Sequence, residues 1–234
     1  MIMHGGFVST PTVIASFAQT ADGQIATAAG ASRSISGPET LTLAHRIRDY
    51  ADGILVGIGT VLQDDPELSC RLPGGSSPKR IILDAGLRMP LDSRIVATSR
   101  EIPTTLVSAP GAREERPEHA AALENAGLIL RELPAESGYI RIPELLQELG
   151  NGGMRSLFVE GGSHVLASFL AAQAIDRILF VTAPLLMGRG RPAFARAGGR
   201  QGSVPDLPET IRLESRGRVQ LGRDMVWEVA VAYA

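Results

Sequence analysis

The chain has 234 residues, 44% of them hydrophobic, and a formal net charge of −2. Its length suits one domain of generous size or two small ones, and its mixed charge without a long basic run argues against a nucleic-acid footprint. The single cysteine, Cys70, excludes an internal disulfide and any CxxC metal or redox site, as suits a reducing compartment. Met1 to Pro11 lack the charged and apolar regions of a signal peptide, and no apolar run approaches a membrane span, so a cytoplasmic protein is expected.

Thr12 to Ala18 reads as a first strand, buried on both faces. Thr20-Ala21-Asp22-Gly23 is a turn, with Asp-Gly supplying the positive-φ position, and Gln24 to Ala28 continues as a short extended piece. Ser36-Gly37-Pro38-Glu39 predicts a helix start with Ser36 at the N-cap. Leu41, Ala44, Ile47 and Ala51 then mark one apolar helix face, and Asp52-Gly53 ends it. Ile54 to Gly57 is a core strand, followed by a glycine-flanked turn and a short helix through Leu62. Strands are expected at 80–84, 104–107 and 128–130, a solvent-facing helix at 114–126, and a helix at 143–149 with Pro143 in its first turn.

Ser156 to Leu166 is the stretch around which the chain is organised. Leu157-Phe158-Val159 predicts a buried parallel strand, Glu160 stands at its end, and Gly161-Gly162 leads into a helix through Val165, Leu166, Phe169 and Leu170. Ligands of open α/β sheets lie at this end of the strands, and a helix N-terminus favours an anion there. A plain packing turn accounts for the same pattern. Neither G-x-G-x-x-G nor a P-loop lysine is present. Beyond it come a strand at 178–181, a Gly/Pro-rich loop from Ala183 to Phe194, and a tail from Leu207 whose alternation suits an antiparallel hairpin containing Trp227 as a core residue. The pattern predicts one α/β domain with a mixed sheet.

Three further patches bear on chemistry. Gly57-Ile58-Gly59-Thr60 allows close backbone approach and offers a hydroxyl, and Asp64-Asp65-Pro66 follows. Adjacent on a loop, Asp64 and Asp65 cannot both enter one pocket: one would face a ligand while the other forms a turn, or both belong to a solvated loop. Asp22, Ser32, Arg33, Ser34 and Ser36 would suit an anion or a solvated loop. Arg48, near a helix C-terminus, fits a dipole or salt-bridge role as well as a ligand contact. His4, His45, His119 and His164 lack metal spacing, so no metal site is expected.

Taken together, Ala18 to Gly23, His45 to Arg48, Gly57 to Pro66, Arg80 to Asp84, Val159 to Gly162 and Ala183 to Gly188 resemble, in order and spacing, the riboflavin-biosynthesis reductases. That family includes the C-terminal reductase half of the bifunctional bacterial RibD deaminase/reductase and the stand-alone archaeal and fungal diaminopyrimidine reductases. The resemblance covers about residues 12–232 and implies a single reductase domain over 1–234 without a deaminase domain. It implies an α/β, dihydrofolate-reductase-like fold: a central mixed, mostly parallel sheet flanked by helices, with a C-terminal antiparallel hairpin, commonly as a homodimer.

It also implies NADPH as hydride donor and a ribosylaminopyrimidine 5′-phosphate as substrate, reduced at the sugar C1′ to a ribityl chain. By position, Ala18, Thr60, Gly161, Gly162 and Ser163 would hold the cofactor, and Ser32, Arg48, Asp64, Leu68, Arg71 and Glu160 the substrate. Arg48 and Arg71 would suit the phosphate. Asp64 and Glu160 would hold hydroxyls or the pyrimidine and are the catalytic candidates. The sequence departs from the family at Ser16, where bacterial members tend to carry Lys and archaeal ones Asn, and at Ser34, where many bacterial members have Trp. These departures leave open the same fold acting on dihydrofolate or another heterocycle. A non-catalytic nucleotide-binding protein is the remaining alternative.

Overall fold

Short apolar runs closed by glycine or aspartate alternate with amphipathic stretches, and the chain folds accordingly. The structure, a computed structural model, describes residues 10–30, 35–194 and 211–233. Its elements in order are β1 (Thr12–Thr20), β2 (Gln24–Thr27), α1 (Pro38–Tyr50), β3 (Gly53–Gly57), α2 (Ile58–Asp64), β4 (Lys79–Leu83), α3 (Arg94–Ala97), β5 (Thr104–Ser108), α4 (Ala112–Glu115), α5 (Pro117–Ala126), β6 (Ile129–Glu132), β7 (Ala135–Glu136), β8 (Tyr139–Ile140), α6 (Ile142–Asn151), β9 (Ser156–Val159), α7 (Ser163–Ala171), β10 (Arg177–Ala183), β11 (Gly190–Pro192), β12 (Arg212–Leu221) and β13 (Asp224–Ala232).

One mixed sheet runs β12-β13-β10-β1-β9-β3-β4-β5-β6. From β10 to β6 the neighbours are parallel, and the C-terminal hairpin β12–β13 adds the antiparallel edge. Alternation along the strands sends side chains to two layers. Val13, Ala15, Phe17, Leu55, Leu157 and Val159 pack with Leu145, Leu166 and Phe169 of α6 and α7. Ile54, Val56, Ile82, Leu106 and Phe158 pack on the other face with α2, α3 and α5. On that second face β1 and β10 have no such apolar cover. A cavity lies there instead, roofed by α1.

That gap corrects the expectation for β1. Its Val13, Ala15 and Phe17 are buried, but Ser16 and Ala18 are only half-buried because they line the cavity. Other expectations change for equally local reasons. Gly37 rather than Ser36 is the N-cap of α1 and makes no side-chain capping bond. The helix predicted over 114–126 breaks at Arg116, where Pro117 opens a new helix. The Gly/Pro-rich stretch after Ala183 is not all loop, since β11 pairs with β2. Trp227 is half-exposed: it meets Phe180 on one side, lies under the Arg218 guanidinium at 4.8 Å, and donates to Ser215 Oγ at 2.9 Å.

Candidate active site

The cavity has a volume of about 860 Å³ and opens at the C-terminal ends of β1, β9 and β3. This is where a parallel sheet presents its ligands. Val56, Phe158 and Val181 give it an apolar floor, and Ala44 and Ile47 of α1 face that floor. Arg48, Asp64, Glu160 and Thr60 supply polar groups around it.

Arg48 and Glu160 form a two-pronged ion pair across the cavity. Nε donates to Oε1 at 2.7 Å and Nη2 to Oε2 at 2.6 Å. The side chains are 13% and 21% exposed, so water screens the pair only partly. Burial would lower the Arg48 pKa, but the Glu160 charge and its hydrogen bonds outweigh it, and the net shift is upward. Arg48 Nη1 also donates to the Ser69 carbonyl at 3.1 Å. Glu160 is held by its own backbone as well: its amide donates to Leu55 O at 3.0 Å, which seats it between β9 and β3.

Leu68 projects into the cavity from a left-handed backbone, φ 54°, and is 2% exposed. Bulky residues adopt that conformation only when their surroundings impose it. Here two arginines grip the neighbouring carbonyls. Arg48 takes Ser69 O, and Arg80 takes Glu67 O at 3.1 Å. Arg80 is fully buried and, among the described residues, faces no carboxylate in hydrogen-bond contact; it also donates to Thr104 Oγ1, Thr98 Oγ1, Ile95 O and Ile102 O. Burial pulls its pKa down to about 10, against the pull of Glu67 and Glu101. It therefore stays charged at neutral pH.

The two adjacent aspartates divide their duties. Asp64, the last residue of α2, lines the cavity. Asp65 is the left-handed C-cap, φ 40°, and its Oδ1 accepts from the Arg94 amide at 2.9 Å.

The glycines also separate by role. A Cβ on Gly161 would stand 2.6 Å from Val165 Cβ, and one on Gly57 would stand 2.8 Å from Val165 Cγ2. These two glycines let α7 settle onto the strand ends. A Cβ on Gly162 would meet only Thr60 Oγ1, at 3.7 Å. Gly162 is the N-cap of α7 and makes no side-chain capping bond, so the first amides of α7 stand uncapped by it beside the Thr60 hydroxyl. This donor set fits the pyrophosphate of a nicotinamide dinucleotide.

Of the residues singled out in the sequence, Ala18, Arg48, Thr60, Asp64, Leu68, Glu160, Gly161 and Gly162 line this one cavity. Ser163 opens α7 without lining it. Arg71 is exposed and off the lining; its amide donates to His45 Nδ1 at 3.2 Å. Ser32, Arg33 and Ser34 lie outside the described residues. Sequence reasoning missed Glu39 and Arg223, which line the far end, because nothing local marks the turn between β12 and β13 as part of a cavity. Among the described residues no group of three His, Cys, Asp or Glu could hold a metal ion, and no helix is long and apolar enough to cross a membrane.

Comparison with known proteins bears on the same geometry. Residues 11–227 match the model of the RibD C-terminal domain. The 2,5-diamino-6-ribosylamino-4(3H)-pyrimidinone 5′-phosphate reductase of Methanothermobacter thermautotrophicus is 34% identical over 94% of this chain and 98% of its own length. The chain spans only a little over half of the RibD proteins it matches, 57% and 56% in two of them. Among solved structures, RibD of Acinetobacter baumannii superimposes with a TM-score of 0.79 at 24% identity, covering 96% of this chain and 59% of that one. Dihydrofolate reductase of Enterococcus faecalis, in complex with NADP(H), superimposes with a TM-score of 0.51 at 11% identity over 95% and 97% of the two chains. The fold is thus dihydrofolate-reductase-like, and a nicotinamide cofactor accords with both fold and family. The chain belongs to the RibD C-terminal domain family.

Proposed function

We propose that this chain is an NADPH-dependent reductase of riboflavin biosynthesis. Its substrate is a ribosylaminopyrimidine 5′-phosphate of the kind named for the archaeal relative, and its product carries a ribityl chain. The observation that carries this reading is the shared cavity: the Arg48–Glu160 pair, Asp64 and Leu68 open into the same space as Thr60 and Gly162. Substrate-type and cofactor-type groups are thereby within reach of one another.

A reduced nicotinamide bound there supplies a hydride for the sugar C1′ once the ribosylamine has opened to its imine. Thr60, Gly162, Ser163 and the α7 amides hold the dinucleotide, Ala18 borders it, and Gly161 contributes by letting α7 close onto the strand ends. The apolar floor of Val56, Phe158 and Val181 excludes water from the reacting carbon. Arg48 and Arg71 attract the substrate phosphate, with Ser32 as a further contact. Asp64 and Glu160 accept hydrogen bonds from the ribityl hydroxyls or the pyrimidine. Both oxygens of Glu160 are engaged by Arg48, so it serves as a fixed acceptor, and Asp64, the other carboxylate carried over by the resemblance, is the candidate to pass a proton to the imine nitrogen.

The reductase unit covers residues 12–232 and works as a cytoplasmic homodimer. The outer strand β12 supports the dimer: it is exposed along almost its whole length, and no described residue pairs with its outer edge.

The test is oxidation of NADPH, followed by its near-ultraviolet absorbance, with the diamino-pyrimidinone phosphate, its amino-uracil counterpart and dihydrofolate in parallel. Rapid oxidation with either ribosylamino compound and none with dihydrofolate is expected. Ser16 makes the dihydrofolate arm worth running, because among the described residues its hydroxyl makes one hydrogen bond, a long one of 3.4 Å to Leu179 O, which places a small polar group on the floor. Turnover of dihydrofolate alone would replace the substrate assignment.

A further inference from the structure

Helix α1 is the wall of the cavity, yet it is fastened from outside itself. Thr40 is its one buried residue. Its apolar side chains Ala44 and Ile47 line the cavity, and only the half-buried Ile47 of the two also packs against the core of that face. Gly37 at the N-cap has no side chain to satisfy the first amides. Asp224, the first residue of β13, takes one of them instead, the amide of Gly37 itself. It is fully buried, and its Oδ2 accepts from the Gly37 amide and from the Thr40 hydroxyl, each at 2.7 Å. Its Oδ1 is buried without a hydrogen-bond partner, 3.7 Å from Arg223 Nε.

Burying a carboxylate is costly unless its position is worth holding. Two hydrogen bonds to a charged acceptor and the positive end of the α1 dipole offset that cost. The next residue back, Arg223, lines the cavity and donates to Ile35 O at 3.2 Å. The hairpin tip is thereby joined to the site at three points along the start of α1.

We propose that Asp224 is a positioning residue of the reductase: by capping α1 from the C-terminal hairpin, it fixes the helix along the cavity and so fixes Arg48 against Glu160. Arg48 lies eleven residues beyond Gly37 (48 − 37), about 16 Å along the helix at its ordinary rise. Polar ties hold the other end, where Asp49 Oδ1 accepts from the Ser76 amide at 2.6 Å and Cys70 Sγ donates to His45 O at 3.4 Å. Among the described residues of α1 only Ile47, with Ala51 at the C-cap, packs against the core, both toward the helix's C-terminal end, so α1 pivots about that end once the Asp224 cap is lost. The inference rests on the reading of this cavity as the substrate site.

Three variants test it: Asp224→Ala removes the cap, Asp224→Asn keeps an acceptor without the charge, and Thr40→Val removes one donor while keeping shape. The measurements are kcat and KM for the phosphorylated ribosylaminopyrimidine, Kd for NADPH, and amide hydrogen exchange of residues 41–51. Asp224→Ala is expected to raise substrate KM more than about tenfold, leave NADPH Kd within about twofold, and speed exchange in α1 while the central strands stay protected. Asp224→Asn should recover most of the KM. Thr40→Val should shift KM the same way by less and add nothing on top of Asp224→Ala.

Unchanged α1 exchange in Asp224→Ala and Thr40→Val overturns the proposal. So does a parallel rise of substrate KM and NADPH Kd, the mark of general loosening. If Asp224→Ala does not fold, the other two variants decide. If the wild-type protein oxidises no NADPH with either ribosylamino compound, the substrate reading fails, and the exchange result alone decides whether Asp224 positions α1.

Discussion

Two walls of the same cavity are built on opposite principles. The wall carrying Leu68 is locked from within: Arg80, fully buried, donates five hydrogen bonds that join Glu67 O to β5, α3 and the segment between them. The α1 wall has one buried residue and is tied by polar contacts at its ends. A locked wall suits a residue held at φ 54°, because strain persists only where the surroundings over-determine it. A lightly anchored wall suits the side from which Arg48 meets the substrate. The difference teaches that substitutions on the two walls should fail differently, the first through stability and the second through function.

Arg80→Met gives the largest effect on stability. Methionine fills part of the volume but leaves Glu67 O and Ile95 O without their side-chain donor, while Ile102 O keeps the Thr104 hydroxyl. Each orphaned buried carbonyl costs about 1–3 kcal/mol, so a loss of roughly 2–6 kcal/mol is expected in denaturant unfolding. A loss under about 1 kcal/mol would mean the Leu68 wall is not locked by this residue.

Arg48→Ala should do the reverse. It strips Glu160 of its fork and Ser69 O of a donor, and kcat/KM is expected to fall more than about 100-fold, close to 3 kcal/mol of transition-state binding. Arg48→Lys should recover little of this, since a point charge cannot span both oxygens of Glu160. Full activity in either variant would remove Arg48 from the site.

The two glycines at the head of α7 sharpen the same distinction over one residue. Gly161→Ala drives a methyl to 2.6 Å from Val165 Cβ and should cost about 1–3 kcal/mol of stability. Gly162→Ala has room in the fold, with Thr60 Oγ1 at 3.7 Å, and should leave stability within about 1 kcal/mol while weakening NADPH binding several-fold. Comparing melting temperature with NADPH Kd for the pair separates packing from cradle. Equal behaviour of the two would contradict the assignment.

The locked wall and the head of α7 differ in how far they could be read from sequence. The strand–Gly-Gly–helix unit was legible because its signals are local: an apolar run, a turn, a helical period. The split between Gly161 and Gly162 was not, since it depends on where Val165 lands. Arg80 precedes Ile81-Ile82-Leu83, and a charged residue at a strand's start ordinarily faces water; only the convergence of α3, β5 and the 64–71 loop buries it. Ser36 looked like the cap of α1 because capping is usually local, whereas the true cap, Asp224, stands 187 residues from Gly37. The pairing of β11 with β2 was hidden by glycine and proline, residues that weaken the strand signal without forbidding a short edge pair.

The smallest effect concerns how α1 is tied at its C-terminal end. His45 Nδ1 accepts from the Arg71 amide, so the ring must be neutral with its proton on Nε2. Partial burial lowers the His45 pKa, and the charges of Arg48 and Arg71 lower it further against the opposing pull of Glu160. A histidine whose pKa is depressed on folding binds protons more readily when unfolded. Its contribution is therefore complete above the ordinary histidine value near 6.5 and is lost as pH falls toward the lower folded value. The ring's NMR titration should have its midpoint below 6.5, and the α1 amides should exchange faster, after correction for intrinsic rates, once the pH drops through that midpoint. His45→Gln, which can keep an acceptor without titrating, should abolish the pH dependence at this end of α1 while leaving the Asp224 end as it was. A midpoint at or above 6.5 would show that the Arg71 amide does not rely on the ring, and the C-terminal tie would then rest on Arg48, Asp49 and Cys70.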